Sequence, residues 1–446
     1  MDFSKKIETR IGELLEKKRE FNVLYVGDNT SRLSCVRGLS AMQQFKAFYS
    51  SIASVSVTTM DSKTFCKSRP NLDSFGIVWV DNVINRQFND TLLALIGESF
   101  DRSEPGWRDE AKSLSGDLKA QFDKEANEYR SLLTHVVYSL DEFVWDAPAA
   151  RNRTIIEART VADCVSYADT VVVPNNEMRT ALVQLQLADE DKDIQIIPSF
   201  VSSQFYPTHK VFLKSKTGST VINKPKVLVK GTEIPRNVQN FIIHGTDEYD
   251  FTICTVGELD QRLMELLRPR SKKEGPVVRN LMHWANPYVT ADNMAETMAI
   301  ERDAGFDFVI LTGPDDYADD IYNVTITDTD ALLAISSGSV VFAQVAKAGF
   351  DKGIHLCNES GEDFVFSEET KVKELKERLE KWRITVNWDE AYTKQRTLLE
   401  HRLVSDPQVL AGFFHAMLGR RVSTEMKGRF DEAMAKSKKS GEESDD

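Results

Sequence analysis

The chain has 446 residues, 41% of them hydrophobic and 28% charged, which is enough apolar material for two cores of roughly 200 residues each. A net charge of −13 disfavours non-specific attraction to nucleic acid by a whole-protein field, and no run approaches the roughly 18 apolar residues of a membrane span. Five scattered cysteines (Cys35, Cys66, Cys164, Cys254, Cys357) include no CxxC pair, which argues against a disulfide framework or a structural zinc site and for a cytoplasmic location.

The opening "MDFSKKIETRIGELLEKKRE" (1–20) lacks the apolar stretch of a secretory signal and reads as an amphipathic helix with Ile7, Ile11, Leu14 and Leu15 on one face. From 21 to 205, short β-rich runs at 22–28, 53–61, 75–81, 134–141, 169–175 and 194–200 alternate with helical periodicity. Leu114, Leu118, Phe122, Ala126, Tyr129 and Leu132 recur every three or four residues, as do Ile155, Ala158, Ala162 and Val165, then Met178, Ala181, Leu182 and Leu185. Strands apolar throughout and separated by helices predict a parallel sheet covered on both faces.

Residues 206–225, rich in Pro, Gly, Ser, Thr and Lys, break this rhythm and predict a linker. The alternation resumes over 226–384, with strands expected at 226–231, 250–256, 277–284, 307–313, 323–328 and 353–358, and helices at 291–304 and 369–382. Helices follow over 385–425, where Val409, Leu410, Phe413, Phe414, Met417 and Leu418 form one stripe. The stretch 426–446 has too little apolar matter to fold alone and is expected to be a disordered tail. The predicted fold is therefore α/β: two tandem doubly wound Rossmann-like domains with a C-terminal helical extension.

In such sheets, ligands bind outside the carboxyl ends of the strands. The expected ends carry Gly27-Asp28, Asp81-Asn82, Asp141-Glu142 and Asn175-Asn176 in the first half, and Gly231, Gly257-Glu258 and Gly313 in the second. Two facing rims would make an interdomain cleft. Carboxylates such as Asp141 there can orient a hydroxyl or serve as a base; equally, they can cap the next helix. His283, in "LMHWANP", is the histidine best placed to line the cleft, or is an ordinary strand-end residue.

"VVYSLDEFVWDAP" (136–148), "RTVADCVSYADTVVVPNNEMRTAL" (159–182) and "DIQIIPSFVSSQFYP" (193–207) together resemble the N-terminal half of glycosyltransferase-like proteins of the two-Rossmann (GT-B) fold, many of them found in bacteriophages. Asp141 and Glu142 match the family's acidic pair, and Asn176-Glu177 its helix start. "VLYVGDNTSRLSCVRGL" (23–39) is similar to its first strand and the Arg-bearing helix after it, with Arg37 at the matching place.

The resemblance implies transfer of a sugar from a nucleotide-sugar donor, UDP-type, with no permanently bound cofactor and no metal. Asp141 or Asp28 would be catalytic. Glu142, Arg37, Asn176, Glu177 and His283 would meet the acceptor, and Gly231, Arg236, Gly313, Ser337, Gly338 and Lys347 the donor. The acceptor is open; in a phage it could be a modified DNA base, reached through the lysines from Lys210 to Lys230. The second half departs from the family, because "AISSGSVVFAQVAKAGFDKGIHLCN" (334–358) lacks the Glu-x7-Glu pair that usually holds donor ribose and sugar. That departure keeps two further readings open: a binding or virion-associated protein on a degenerate GT-B fold, and a nucleotide-sugar epimerase. No Gly-x-Gly-x-x-Gly follows the first strand, no Walker-type loop is present, and the seven histidines show no metal-ligand spacing.

Overall fold

A computed structural model describes residues 1–16, 20–27, 42–43, 46, 54–83, 85–140, 155–198, 200, 221–231, 234–255, 258–270, 275–280, 302–312, 329–344, 361–367, 369–400, 402 and 407–418. Its first sheet joins β1 (Glu20–Gly27), β2 (Ser54–Met60), β3 (Ile77–Asp81), β4 (His135–Ser139), β5 (Thr170–Val173) and β6 (Ile194–Ile196). All neighbours pair in parallel, in the order β2-β1-β3-β4-β5-β6. Every residue of β3, β4 and β5 is buried, as expected of strands covered on both faces.

The helices of this half are α1 (Phe3–Glu16), α2 (Ser62–Ser68), α3 (Arg86–Ser103), α4 (Trp107–Ser113), α5 (Gly116–Leu133), α6 (Ile155–Tyr167) and α7 (Asn176–Gln184). Short polar caps start several of them: Asp61 accepts from Thr64 N, and Asn85 from Phe88 N, satisfying amides that a first helical turn leaves open. Helices α3 and α4 were not foreseen. Phe88, Leu92, Leu95, Ile96 and Phe100 have the right spacing on α3, but buried Asn89, Thr91 and Ser99 interrupt the apolar face. Helix α1 docks through Phe3, whose ring lies 5.1 Å from Phe122, 5.8 Å from Tyr129 and 6.0 Å from Phe100. Ile7 is buried beside it.

The second sheet joins β7 (Lys226–Gly231), β8 (Asp250–Cys254), β9 (Arg279–Asn280), β10 (Phe308–Thr312), β11 (Val340–Gln344) and β12 (Val365–Phe366), all parallel, in the order β12-β11-β10-β7-β8-β9. Around it lie α8 (Arg236–Gly245), α9 (Gln261–Leu266), α10 (Thr329–Ser336), α11 (Val372–Trp382) and α12 (Thr385–Glu400). Strands β11 and β12 were not expected. The runs expected at 323–328 and 353–358, most of the helix at 291–304, residues 206–220 of the linker and the tail at 426–446 lie outside the described residues.

The helices after residue 384 divide between the two sheets. Helix α12 belongs to the second core: Trp388 Nε1 donates to Asp307 O at 3.0 Å, and the fully buried Gln395 exchanges two hydrogen bonds with the Val341 backbone of β11, at 2.9 and 2.8 Å. Helix α13 (Pro407–Leu418) returns to the first sheet. There Val409, Leu410, Phe413, Phe414 and Met417 cover Val23, Tyr25, Trp79, Val137 and Val172. At its C-terminal end the carbonyl of Ala416 lies 3.0 Å from His135 Nε2, and the buried Thr170 hydroxyl lies 3.2 Å from the same nitrogen. The result is two doubly wound, Rossmann-like α/β domains, the first closed on one face by a helix from the far end of the described chain.

Candidate functional site

Each sheet has one point where the chain reverses its direction of strand addition. In the first sheet it falls between β1 and β3, and in the second between β7 and β10. A crevice opens at the carboxyl ends of such strand pairs.

At the first crevice, the Tyr25 hydroxyl donates to Asp81 Oδ2 at 2.6 Å, and both residues are buried. A side chain on Gly27 would meet that hydroxyl, since an added Cβ would lie 2.6 Å from it. Asn82 follows with a left-handed φ of 52°, and its amide donates to Ser139 O at 2.8 Å, tying the end of β3 to that of β4. Asp28, the proposed catalytic partner next to Gly27, lies outside the described residues, as do Arg37, Asp141 and Glu142. Leu140, just past β4, donates its amide to Val172 O at 2.9 Å. Asn176 and Glu177 occupy the first turn of α7, at the carboxyl end of β5. Asn175 is the cap, accepting from Met178 N at 2.8 Å; Asn176 is exposed, and the Glu177 carboxylate offsets the positive end of the helix dipole.

At the second crevice, Gly231 pairs with Thr312, and a Cβ on Gly231 would lie 2.1 Å from the Thr312 carbonyl oxygen. Only glycine lets the two strand ends approach this closely. The Thr312 hydroxyl donates to Lys230 O at 3.4 Å. Lys230, one residue earlier on β7, is only 12% exposed, and its ammonium sits 2.9 Å from Asp330 Oδ1 on the first turn of α10. Arg236 is the first residue of α8, exposed, in a helix whose Pro235 cap supplies no side-chain acceptor. Gly231, Lys230, Asp330 and the start of α8 thus share the carboxyl edge of the second sheet. The sequence reading groups Lys230 with the lysines that would reach an acceptor and does not name Asp330; no short motif marks a pair 100 residues apart.

Ser337 and Gly338 lie elsewhere, which corrects the donor-side assignment. They form the turn between α10 and β11, with Ser337 Oγ donating to Leu333 O and Gly338 at a φ of 93° that closes the helix. Ser339 Oγ donates to Phe306 O just ahead of β10, so this turn sits at the amino edge, opposite Gly231. The turn is followed by the strand Val340–Gln344, buried in all but its last residue. His283, Gly313 and Lys347 lie outside the described residues.

Other chemistry is sparse. Burial pushes the Cys164 thiol up to about 11, which removes it as a nucleophile near neutral pH. Among the described residues, no three His, Cys, Asp or Glu side chains gather as metal ligands, and no helix is long and apolar enough to cross a membrane.

No family model matches the chain, and neither does any curated protein sequence. Solved structures do match. Sucrose-phosphate synthase from Thermosynechococcus elongatus aligns over 91% of this chain and 99% of its own, with a TM-score of 0.50 and 9% identity. HepE from Anabaena, solved with UDP and glucose, aligns over 89% of this chain and 99% of its own, with a TM-score of 0.49 and 13% identity. A UDP-forming α,α-trehalose-phosphate synthase from Burkholderia xenovorans aligns over 89% and 84%, with a TM-score of 0.46 and 10% identity. The chain therefore shares with sucrose-phosphate synthase, over nearly the whole length of both, a fold of two Rossmann-like domains.

Proposed function

We propose that this protein is a glycosyltransferase that takes a sugar from a nucleoside-diphosphate donor, UDP-type, and passes it to a hydroxyl-bearing acceptor. The observation that carries this reading is the second crevice. A glycine without room for a side chain and a nearly buried lysine meet there at the reversal point of a parallel sheet, beside a helix start that has no side-chain cap. Backbone amides at a helix start and a fixed ammonium suit a diphosphate. Arg236 adds charge, and Gly313 and Lys347 belong to the same proposal. On the acceptor side, Asp141 or Asp28 takes the hydroxyl proton, with Glu142, Arg37, Asn176, Glu177 and His283 as acceptor contacts. Domain closure over the donor would exclude water and limit hydrolysis. The acidic chain weighs against a DNA base as acceptor, and the lysines from Lys210 to Lys230 are what would have to receive one.

A panel of UDP-, GDP- and ADP-sugars in a thermal-shift measurement tests the donor half. A true donor at 100 times its Kd stabilises the fold by about 2.7 kcal/mol. With that donor in hand, Asp141→Asn is expected to keep donor affinity and lower transfer by roughly 100-fold, the scale of lost acid–base help. Unchanged transfer would move the base to Asp28. Silence across the panel favours the second reading, a non-catalytic binding protein on the same fold. One feature supports that reading: the stretch 334–358, where the family's glutamate pair is expected, holds no glutamate.

A further inference from the structure

At the second crevice, one carboxylate already answers the features that would attract an anion. Asp330 neutralises Lys230 at 2.9 Å and, as the acid in the first turn of α10, also offsets that helix's positive end. Lys230 is nearly buried while Asp330 is 51% exposed, so the lysine is fixed and the aspartate is the partner with room to swing away. A diphosphate reaching Lys230 must displace this carboxylate or lie beside it.

We propose that Asp330 is a product-release residue, a resident counter-ion that yields Lys230 to the incoming donor and reclaims it from the leaving nucleoside diphosphate. The inference rests on the glycosyltransferase reading, and charge accounting gives it direction. In transfer, the bond between the anomeric carbon and the β-phosphate oxygen breaks, and its electron pair stays on that oxygen. The acceptor oxygen bonds to the carbon, and its proton goes to the base. The free nucleoside diphosphate therefore carries one more negative charge at its terminal phosphate than it carried as donor. A carboxylate close by repels the product more strongly than the donor, and the product leaves.

The signature is an effect graded by ligand charge. Calorimetric Kd values for uridine, UDP-glucose and UDP would be compared in the wild type, Asp330→Asn, Lys230→Met and the double variant. If the donor panel selects another base, its own nucleoside, diphosphate and diphosphate-sugar are used. Asp330→Asn, a half-exposed and nearly isosteric change checked by its melting curve, should bind UDP about 10-fold tighter, UDP-glucose only a few-fold tighter, and uridine as before. Most of the UDP gain should vanish when Lys230→Met is added. Equal or weaker UDP binding in Asp330→Asn overturns the inference, because the carboxylate then only positions Lys230. A uridine gain as large as the UDP gain overturns it too, since repacking and not charge would be the cause. If the wild type and Asp330→Asn bind no nucleotide of any base, the glycosyltransferase reading fails and the inference falls with it. UDP binding that is unchanged by Asp330→Asn sinks the inference alone.

Discussion

Phe413→Ala is expected to melt the first domain ahead of the second. The Phe413 ring is 1% exposed, stacks on Trp79 with centroids 5.3 Å apart, and meets the edge of Phe200 at 5.4 Å. Met42, Ile197 and Phe200 are buried in the same cluster, so the truncation vacates volume inside a packed apolar layer. Truncating a buried Phe costs about 3–5 kcal/mol. In a domain of this size, that corresponds to a transition about 10 °C lower. Two domains need not unfold as one, so the measurement is calorimetry with the two transitions separated. A loss below ~1 kcal/mol, or a shift confined to the second domain, would show that α13 is not what closes the first sheet.

Gly231→Ala is expected to weaken nucleotide binding by about 100-fold. Its Cβ would sit 2.1 Å from Thr312 O and 2.4 Å from Thr312 Oγ1, so β7 and β10 must part at their carboxyl ends. Overpacking of this kind costs about 1–3 kcal/mol or more of stability. A displacement of about an ångström at a phosphate site costs around 100-fold in function. Gly275→Ala serves as the control, because nothing lies within 4 Å of its would-be Cβ. Full-affinity UDP binding by folded Gly231→Ala would place the donor somewhere other than this crevice.

The central strands were legible because covering on both faces leaves a plain apolar run: Lys226–Gly231 agrees with the sequence reading to the residue, and Ile77–Asp81 nearly so. The run "SSGSVVFAQ" misled because Ser, Ser and Gly look like a loop. Here they end a helix, and after Ser339 the residues Val340–Gln344 form a strand buried in all but its last residue. Helix α3 was lost to polar side chains that are satisfied inside the protein, such as Asn89 donating to Thr160 O. Site pairings were invisible for a different reason. Tyr25 meets Asp81 across 56 residues, and no local pattern encodes a partner at that distance. Gly231 was picked out correctly as a strand-end glycine; that its value is the closeness of Thr312 came only from the packing.

The return of α13 also sets an order of events during synthesis. Ala416 comes 281 residues after His135, the strand residue it meets. At about 5–20 residues per second, a ribosome takes roughly 15–55 s to make that interval. Throughout it, the face formed by Val23, Tyr25, Trp79, Val137 and Val172 has no α13 to cover it. The first domain to emerge is thus the last to be completed, and the second can close its own core in the meantime. For those seconds the nascent chain presents an aromatic sheet surface to its surroundings, which is the state in which chaperones bind and neighbouring chains on a polysome aggregate.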